Sequence, residues 1–194
     1  MNNIAYHFTG STLRDGSAIP PIGHTLRMDG DPVMCERGFH WSLRPSEALR
    51  YAPGPLLHRV RYSGKFLLGN DKGVSTERTI LAAFDATYLM RRFAADQALS
   101  VAHLWDMPVI VREYLTDLDK EKRVAARAAA GAAGAAARVA GAWIAARIAV
   151  RAERAAALDV LEAAGAALVA DKWEVVWSEF DRRAYAEFDK VKEN

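Results

Sequence analysis

Residues 37–42 (RGFHWS), followed after a short link by residues 45–52 (PSEALRYA), carry the clearest structural pattern in the chain. A glycine opens an aromatic-rich strand here, and the strand leads directly into a helix. Pro45 suits the first turn of that helix, because the N–H group that proline lacks would have no intrahelical partner there. A strand that runs into a helix start can place polar side chains in a cleft. The sequence therefore predicts a small domain built around this strand and helix.

The rest of the N-terminal half has the pattern of a scaffold for that pair. Residues 4–9 (IAYHFT) form a short β-type run, and residues 56–62 alternate apolar and polar side chains over their second half. A further strand is predicted at residues 65–68, whereas residues 10–36 are rich in glycine and proline, which is typical of loops. The sequence predicts an α+β fold that begins with a small mixed-sheet module, residues 1–83.

The hydrophobic period changes after Val74. Residues 76–84 combine the end of a strand with the start of a helix, and helices are predicted at residues 88–104 and 109–118. A helical, alanine-rich region is therefore predicted for residues 84–194. Its predicted core side chains include His103, Val109, Val111, Tyr114 and Leu115.

Residues 123–170 are strongly biased toward alanine, the best helix former. Small side chains let helix backbones approach closely, so this segment is expected to fold back as a hairpin or to associate with another chain. The tail, residues 172–192, is expected to form an amphipathic helix. Its aromatic side chains Trp173, Trp177 and Phe180 suit a helix core or, alternatively, a surface that docks a partner.

Composition narrows the function classes. The 194 residues are 51% hydrophobic and 26% charged, with a formal net charge of +2, which is typical of a globular protein and does not favour nucleic acid as a partner. Cys35 is the only cysteine, so a disulfide within the chain is impossible, and no zinc-type spacing occurs. Neither a signal peptide nor a membrane span is evident, so we expect a cytoplasmic protein.

Three segments carry a resemblance to a family of phage and bacterial proteins. They are residues 5–10 (AYHFTG), 38–40 (GFH) and 98–106 (ALSVAHLWD), followed by the alanine-rich tail. The resemblance implies a phage-type accessory protein in the host cytoplasm that acts by binding a protein partner. Inhibition of a host defence complex, as by an anti-CRISPR, is one such role. A structural phage component is an alternative, and a homo-oligomer through the alanine-rich helices fits either.

A second resemblance points to an enzyme. Residues 6–7 (YH), 38–42 (GFHWS), 48–52 (ALRYA) and Glu77 follow one another as in an ADP-ribosyltransferase domain of the His-Tyr-Glu type. The resemblance implies NAD as the substrate and a host protein as the target. If this interpretation fails, no cofactor is expected, and no metal site is predicted in either case.

The transferase resemblance also implies roles for individual residues. His7 would bind the ribose of NAD, His40 would lie at the nicotinamide stack, and Glu77 would be the catalytic acid. This chain departs from the family in placing His40 at the family's tyrosine position. Further contacts to NAD are implied for Thr9, Phe39, Ser42 and Tyr51.

The same residues have simpler interpretations. His7 suits a hydrogen-bonded histidine within a sheet, and Glu77 beside Arg78 suits a solvated charge. Cys35 could act as a nucleophile only with an activating base, and the sequence shows none close to it. The two hypotheses separate on one point: an enzyme needs His7, His40 and Glu77 to converge on a single cleft, whereas a binding protein does not.

Overall fold

The computed structural model describes residues 3–100, 102–104, 106–140 and 173–192. It contains two compact units, one formed by Met1–Ala86 with Ser178–Asn194 and the other by Thr87–Trp177. Strands and helices both occur, so the predicted α+β class is confirmed. The first unit ends close to the predicted boundary at residue 83. It also includes the end of the chain, which the sequence had assigned to the helical region.

The first unit, which we call the sheet unit, is built on five strands. They are β1 (Ile4–Thr9), β2 (Thr25–Arg27), β3 (Phe39–Trp41), β4 (Leu56–Leu68) and β5 (Gly73–Asp85). Every pairing between these strands is antiparallel, so the predicted mixed sheet is wrong. The strand order is β1-β4-β5-β2, and β3 pairs with β5 beside β2. Antiparallel strands can be joined by a short turn, and residues 69–72 join β4 to β5 in this way.

The sheet closes on itself through a single bridge. The backbone N–H of Tyr6 in β1 donates to the carbonyl oxygen of Ser42 at 2.8 Å, and the N–H of Ser42 donates back at 2.9 Å. Because Ser42 directly follows β3, this bridge brings β1 and β3 side by side. The two strands that carry His7 and His40 therefore meet at one end of the sheet.

The long hairpin of β4 and β5 corrects two predictions. Residues 65–68 are not a separate strand, because β4 continues through an irregularity between Ser63 and Phe66. Residues 76–84 contain no helix start, because β5 extends to Asp85. Burial along this part of β5 alternates, with Arg78, Ile80 and Ala82 inside. That period of two is the signature of a strand.

A small apolar core lies on one face of the sheet. It consists of Ala5, Trp41, Val60 and Ile80, each of which is almost fully buried. The Trp41 ring stacks on Tyr62 with a centroid separation of 3.8 Å, and its Nε1 donates to Ser75 Oγ at 3.1 Å. Trp41 thus fixes the end of β3 both by packing and by a hydrogen bond.

Five helices and one short 3-10 turn complete the described structure. They are α1 (Pro45–Leu49), α2 (Thr87–Ser100), the turn Ala102–Leu104, α3 (Val109–Asp117), α4 (Arg123–Ala140) and α5 (Trp173–Lys192). The predicted helices at residues 88–104 and 109–118 are confirmed within a few residues. Residues 141–172 of the alanine-rich segment lie outside the described residues. No helix in the described ranges is long and apolar enough to cross a membrane.

Some core predictions for the second unit are confirmed and others are wrong. Val111, Tyr114 and Leu115 of α3 are buried as predicted. Val109, the first residue of α3, is 73% exposed, and His103, in the middle of the short 3-10 turn, is exposed. Arg92 of α2 anchors the end of α3 by donating to the carbonyl oxygens of Leu115 and Thr116.

Candidate functional site

The sheet unit contains an open cleft of about 1110 Å3. Its walls come from β1 and the loop that follows it, from β3, and from the end of α1 with the residues just after it. The predicted site residues that line it are His7, Thr9, Phe39, His40, Ser42 and Tyr51. Glu77 is not among the lining residues. The structure therefore brings two of the three predicted catalytic residues to one cleft and leaves the third outside.

Arg78 of β5 is the charged group at the base of this cleft, and its side chain is only 5% exposed. One guanidinium nitrogen donates to the carbonyl oxygen of His40 at 2.7 Å, and the group lies 5.7 Å from the centre of the Phe39 ring. Nε has no hydrogen-bond partner in the described structure. No carboxylate of the described residues forms an ion pair with Arg78, and burial lowers its pKa to about 10.

An unpaired buried guanidinium is costly, because it has lost its water without gaining an anion. Most buried polar atoms in proteins have a hydrogen-bond partner, so an orphaned Nε in a cleft requires a reason. A ligand with negative charge would supply both the missing acceptor and the missing charge.

His7 and His58 face each other across β1 and β4 near Arg78. His58 is 2% exposed, its Nε2 lies 2.8 Å from Thr9 Oγ1, and its Nδ1 has no partner in the described structure. Burial and the charge of Arg78 lower the pKa of His58 to about 4. Burial, Arg78, His58 and then His40 lower the pKa of His7 well below its usual value. Both rings are therefore neutral at physiological pH.

His40 is held in a defined orientation by the backbone before it. The N–H of Cys35 donates to His40 Nε2 at 3.0 Å, so the ring proton of neutral His40 lies on Nδ1. Burial and the nearby cations Lys72, Arg78 and Arg14 lower the pKa of this ring, and a hydrogen bond to the Gly38 backbone opposes them. The surroundings of His40 therefore favour its neutral form.

Gly38 makes this arrangement possible. Its φ is +122°, and a Cβ at this position would lie 2.5 Å from Val74 Cγ2 and 3.1 Å from the Ser75 carbonyl oxygen. Only glycine fits both the backbone angle and the space. The sequence predicts this glycine as the opening of the strand.

The mouth of the cleft carries a second group of polar side chains. The ammonium of Lys72 lies 4.4 Å from the centre of the Tyr51 ring, and the neighbouring Cys35 side chain raises the pKa of Lys72. The Tyr51 hydroxyl donates to Asp71 Oδ2 at 2.8 Å. Cys35 itself is exposed and adopts a positive φ of 66°. Lys72 therefore adds positive charge at the entrance.

The acids that line the cleft lie at its rim. They are Asp15 and Glu36, and Asp15 is engaged by the hydroxyl of Ser17 at 2.6 Å. Neither contributes to the pKa shifts of His7, His40, His58 or Arg78, whose charged neighbours are all cations or histidines. The base of the cleft therefore has a positive potential and suits an anion.

Glu77 lies on the opposite side of β5 from Arg78, because neighbouring residues of a strand point to opposite faces. Its carboxylate accepts a hydrogen bond from Ser63 Oγ at 2.7 Å and lies 3.5 Å from Arg27 Nε. These contacts resemble the solvated charge of the simpler interpretation more than a catalytic acid.

The predicted partner-binding aromatics are largely interior. Trp177 is 6% exposed and stacks on Phe93 within the second unit, with ring centroids 5.9 Å apart. Phe180 is fully buried in the sheet unit. The side chain of Trp173 lies outside the described residues. Neither described side chain is accessible to a partner, because each fills the core of its own unit.

Sequence reasoning missed Arg78 and His58. Residues 56–62 were predicted as a strand, but His58 received no role in it. Arg78 was treated only as the neighbour of Glu77. The alternation Arg78, Ile80, Ala82 was the signal that could have identified it, because it places the arginine on the apolar face.

Comparison of the chain with protein-family models, with curated proteins and with solved structures gave no match. The described residues contain no group of three or more histidine, cysteine, aspartate or glutamate side chains that could hold a metal ion.

Proposed function

We propose that the sheet unit binds a phosphorylated nucleotide in its cleft. The observation that carries this proposal is Arg78, which lines the cleft, is 5% exposed, has no acid partner among the described residues and has a buried Nε without a hydrogen-bond partner. Arginine binds phosphate through a planar fork of N–H donors that matches the phosphate oxygens. A phosphate at this position would pair the buried charge.

The aromatic residues of the cleft support a nucleotide rather than a free phosphate ion. Phe39 lies beside Arg78, and Tyr51 lies at the mouth beside Lys72. Aromatic rings are the usual partners of nucleotide bases, because every base has a flat face for stacking. NAD, which the transferase resemblance implies, has both phosphates and aromatic rings and belongs to this ligand class.

The proposal is that the cleft binds a nucleotide. ADP-ribosyl transfer would be a further activity of the same cleft. Transfer would require a carboxylate beside the ribose, and Glu77 points away from the cleft toward Ser63 and Arg27. A transferase would therefore need a rearrangement of β5 or a different acid. Asp15 and Glu36 are the acids that already line the cleft.

Calorimetric titration with ADP and with NAD tests the binding proposal. Wild type is compared with Arg78→Gln, which keeps a polar side chain but removes the charge, and with Arg61→Gln, which changes an exposed arginine on β4. We expect Arg78→Gln to weaken binding by about tenfold or more, since a charge-assisted hydrogen bond contributes about 1.5–3 kcal/mol. Arg61→Gln should bind as wild type does.

Two results would contradict the proposal. One is the absence of any heat of binding with either ligand at millimolar concentration. The other is equal affinity in wild type and Arg78→Gln, once circular dichroism has shown that the variant is folded.

A second candidate function, binding to a protein partner, is favoured by the open edge of β4. β1 pairs with β4 as far as Arg61, and the Tyr62 N–H donates to the Asn3 carbonyl oxygen. From Ser63 to Leu68 the strand has β5 as its one neighbour in the described sheet. Phe66, Leu67 and Leu68 on this edge are 48%, 47% and 58% exposed. An unpaired edge with apolar side chains accepts an extended strand from another protein.

The phage-type roles belong to this second candidate. They are a cytoplasmic accessory protein that inhibits a host defence complex and a structural phage component. A homo-oligomer through an all-helical alanine-rich region is a further proposal, although residues 141–172 lie outside the described residues. The edge predicts that Leu67→Lys abolishes capture of a host protein that wild type binds. Val109→Lys, at an exposed apolar position on α3, should leave capture intact.

A further inference from the structure

Two buried polar atoms in this part of the sheet unit have no partner in the described structure: Nε of Arg78, which lines the cleft, and Nδ1 of His58, which does not line it. His7 lies beside both residues and lines the cleft. Arg78 therefore supplies a fixed positive charge close to the His7 ring, which lines the same cleft. This combination sets how much negative charge the cleft can neutralise.

We infer, building on the proposed nucleotide binding, that the cleft takes the terminal phosphate of its ligand at Arg78 and that a proton binds to His7 together with this phosphate. The ligand class is thereby narrowed to phosphate monoesters and terminal diphosphates, such as AMP and ADP. Ligands whose phosphates are all bridging, such as NAD, would bind less tightly.

The charge balance supports a terminal phosphate. A bridging phosphate carries one negative charge, which Arg78 alone would neutralise. A terminal phosphate carries between one and a half and two charges near neutral pH. The second charge needs a second cation close to Arg78. Arg14 and Lys72 also line the cleft and act on His40, but Arg78 is the only permanent cation among the described residues that acts on His7.

His7 is the ring that can supply that cation. His40 is excluded because its Nε2 accepts the N–H of Cys35, and protonation would replace this acceptor with a second donor. His58 is 2% exposed and does not line the cleft, and its Nε2 is occupied by Thr9. His7 is partly exposed and opens onto the cleft.

The groups around His7 determine the direction of the effect. Arg78, His58 and His40 all disfavour its charged form, as does burial, so its pKa is low when the cleft is empty of anions. A phosphate beside His7 counteracts the effect of Arg78, which is the largest electrostatic contribution, because an opposite charge within about 4–6 Å favours the charged form of the ring. Binding should therefore take up protons and become tighter as the pH falls.

Calorimetry at pH 6.5, in two buffers with different heats of ionisation, measures the number of protons taken up when ADP binds. His7→Asn keeps a neutral polar side chain but cannot accept the proton. His24→Asn is the control, because His24 is exposed and outside the cleft. The titration of ADP itself is common to all three proteins, so the difference between variants belongs to the protein.

We expect wild type and His24→Asn to take up more protons than His7→Asn. ADP should bind wild type about tenfold more tightly than NAD at pH 6.5, because one additional charge pair is formed, and this preference should shrink at pH 8. His7→Asn should lose the preference for ADP, and circular dichroism checks that this variant is folded.

Equal proton uptake in wild type and His7→Asn would overturn the inference, and so would equal affinities for ADP and NAD at both pH values. In either case the proposed nucleotide binding would stand, because both ligands still bind. If neither ligand binds wild type, or if Arg78→Gln binds like wild type, the proposed function fails and this inference fails with it.

Discussion

Two buried charges in the sheet unit are treated in opposite ways. Asp181 of α5, 5% exposed, lies at the start of α1, where its carboxylate accepts hydrogen bonds from the Ser46 N–H at 2.7 Å and from the Ser46 hydroxyl at 2.9 Å. Arg78, also 5% exposed, has one hydrogen bond from its guanidinium to the backbone and an orphaned Nε in the cleft.

The difference lies in how far the hydrogen bonds of each charge are completed within the fold. Asp181 satisfies a donor at the beginning of a helix, where N–H groups otherwise lack partners. It therefore stabilises the junction between α1 and α5. Arg78 lines the cleft with one hydrogen bond to the His40 carbonyl oxygen, and its buried Nε has no partner in the described structure. The hydrogen bonds of the Asp181 carboxylate are made within the fold, whereas those of the Arg78 guanidinium are incomplete and would be completed by the proposed ligand.

The largest expected effect is on the pH dependence of the free energy of unfolding, in which His58, beside Arg78, and Asp181 should act in opposite directions. His58 has a pKa of about 4 in the folded protein, below the usual 6.5, so between these values the unfolded chain binds more protons. The free energy of unfolding should fall as the pH drops through this window, by up to about 3 kcal/mol. Urea unfolding from pH 7.5 to 4.5 measures it.

The acid response of Asp181 should oppose that of His58. Burial raises the pKa of Asp181, so the folded protein binds more protons than the unfolded chain and gains stability as the pH falls.

The control for the His58 prediction is His58→Gln, in which the free energy of unfolding should fall clearly less between pH 6.5 and 4.5. A decline of unchanged size would show that the histidine cluster is not buried in its neutral form.

The next effect concerns Asp181→Ala, which removes the satisfied charge. We expect a loss of about 2 kcal/mol in the free energy of unfolding, because the buried N–H and hydroxyl of Ser46 both lose their acceptor. Urea unfolding at pH 7.5 gives the value. Asp189→Ala is a suitable control, because Asp189 lies on the same helix with its side chain 72% exposed. Similar losses in both variants would remove the contrast with Arg78.

A smaller effect is expected for Ser46→Ala. This change deletes the hydroxyl donor but keeps the backbone N–H bonded to Asp181, so the loss should be about 1 kcal/mol. Combining it with Asp181→Ala in a double-mutant cycle should give less than the sum of the two losses, since the residues share one bond. Additive losses would indicate that the hydroxyl acts elsewhere.

The smallest effect on stability is expected for Arg78→Met. Removing an unpaired buried charge relieves its desolvation, and losing its bond to the His40 carbonyl oxygen costs a similar amount. The free energy of unfolding should therefore change by less than about 1 kcal/mol in either direction. A loss as large as that of Asp181→Ala would show that Arg78 has a structural role after all.

The sequence predicted the elements of this site better than their assembly. The strands at residues 4–9 and 38–42 and the helix that begins at Pro45 are all present, because alternation, glycine and proline are local signals. The bridge between Tyr6 and Ser42 joins residues that are far apart in the sequence, and no sequence pattern predicts it. It is this bridge that brings the strands of His7 and His40 together.

The errors have a common physical origin. The sequence could not show that α5 returns to the sheet unit, so Phe180 was considered as a docking residue and is instead core. It also could not show which charged residue of β5 would be buried. Glu77 and Arg78 are adjacent in sequence, and only the direction of the sheet face decides that the arginine enters the cleft.

The most direct test of the account is the stability that a ligand confers. With ADP at about one hundred times its Kd, urea unfolding of wild type should show a gain of about 2.7 kcal/mol, because the ligand binds only the folded form. Arg78→Met, at the same ADP concentration, should gain at most about 1.4 kcal/mol, the value for tenfold weaker binding. An equal gain in both proteins would contradict the claim that the unpaired arginine is the centre of the site.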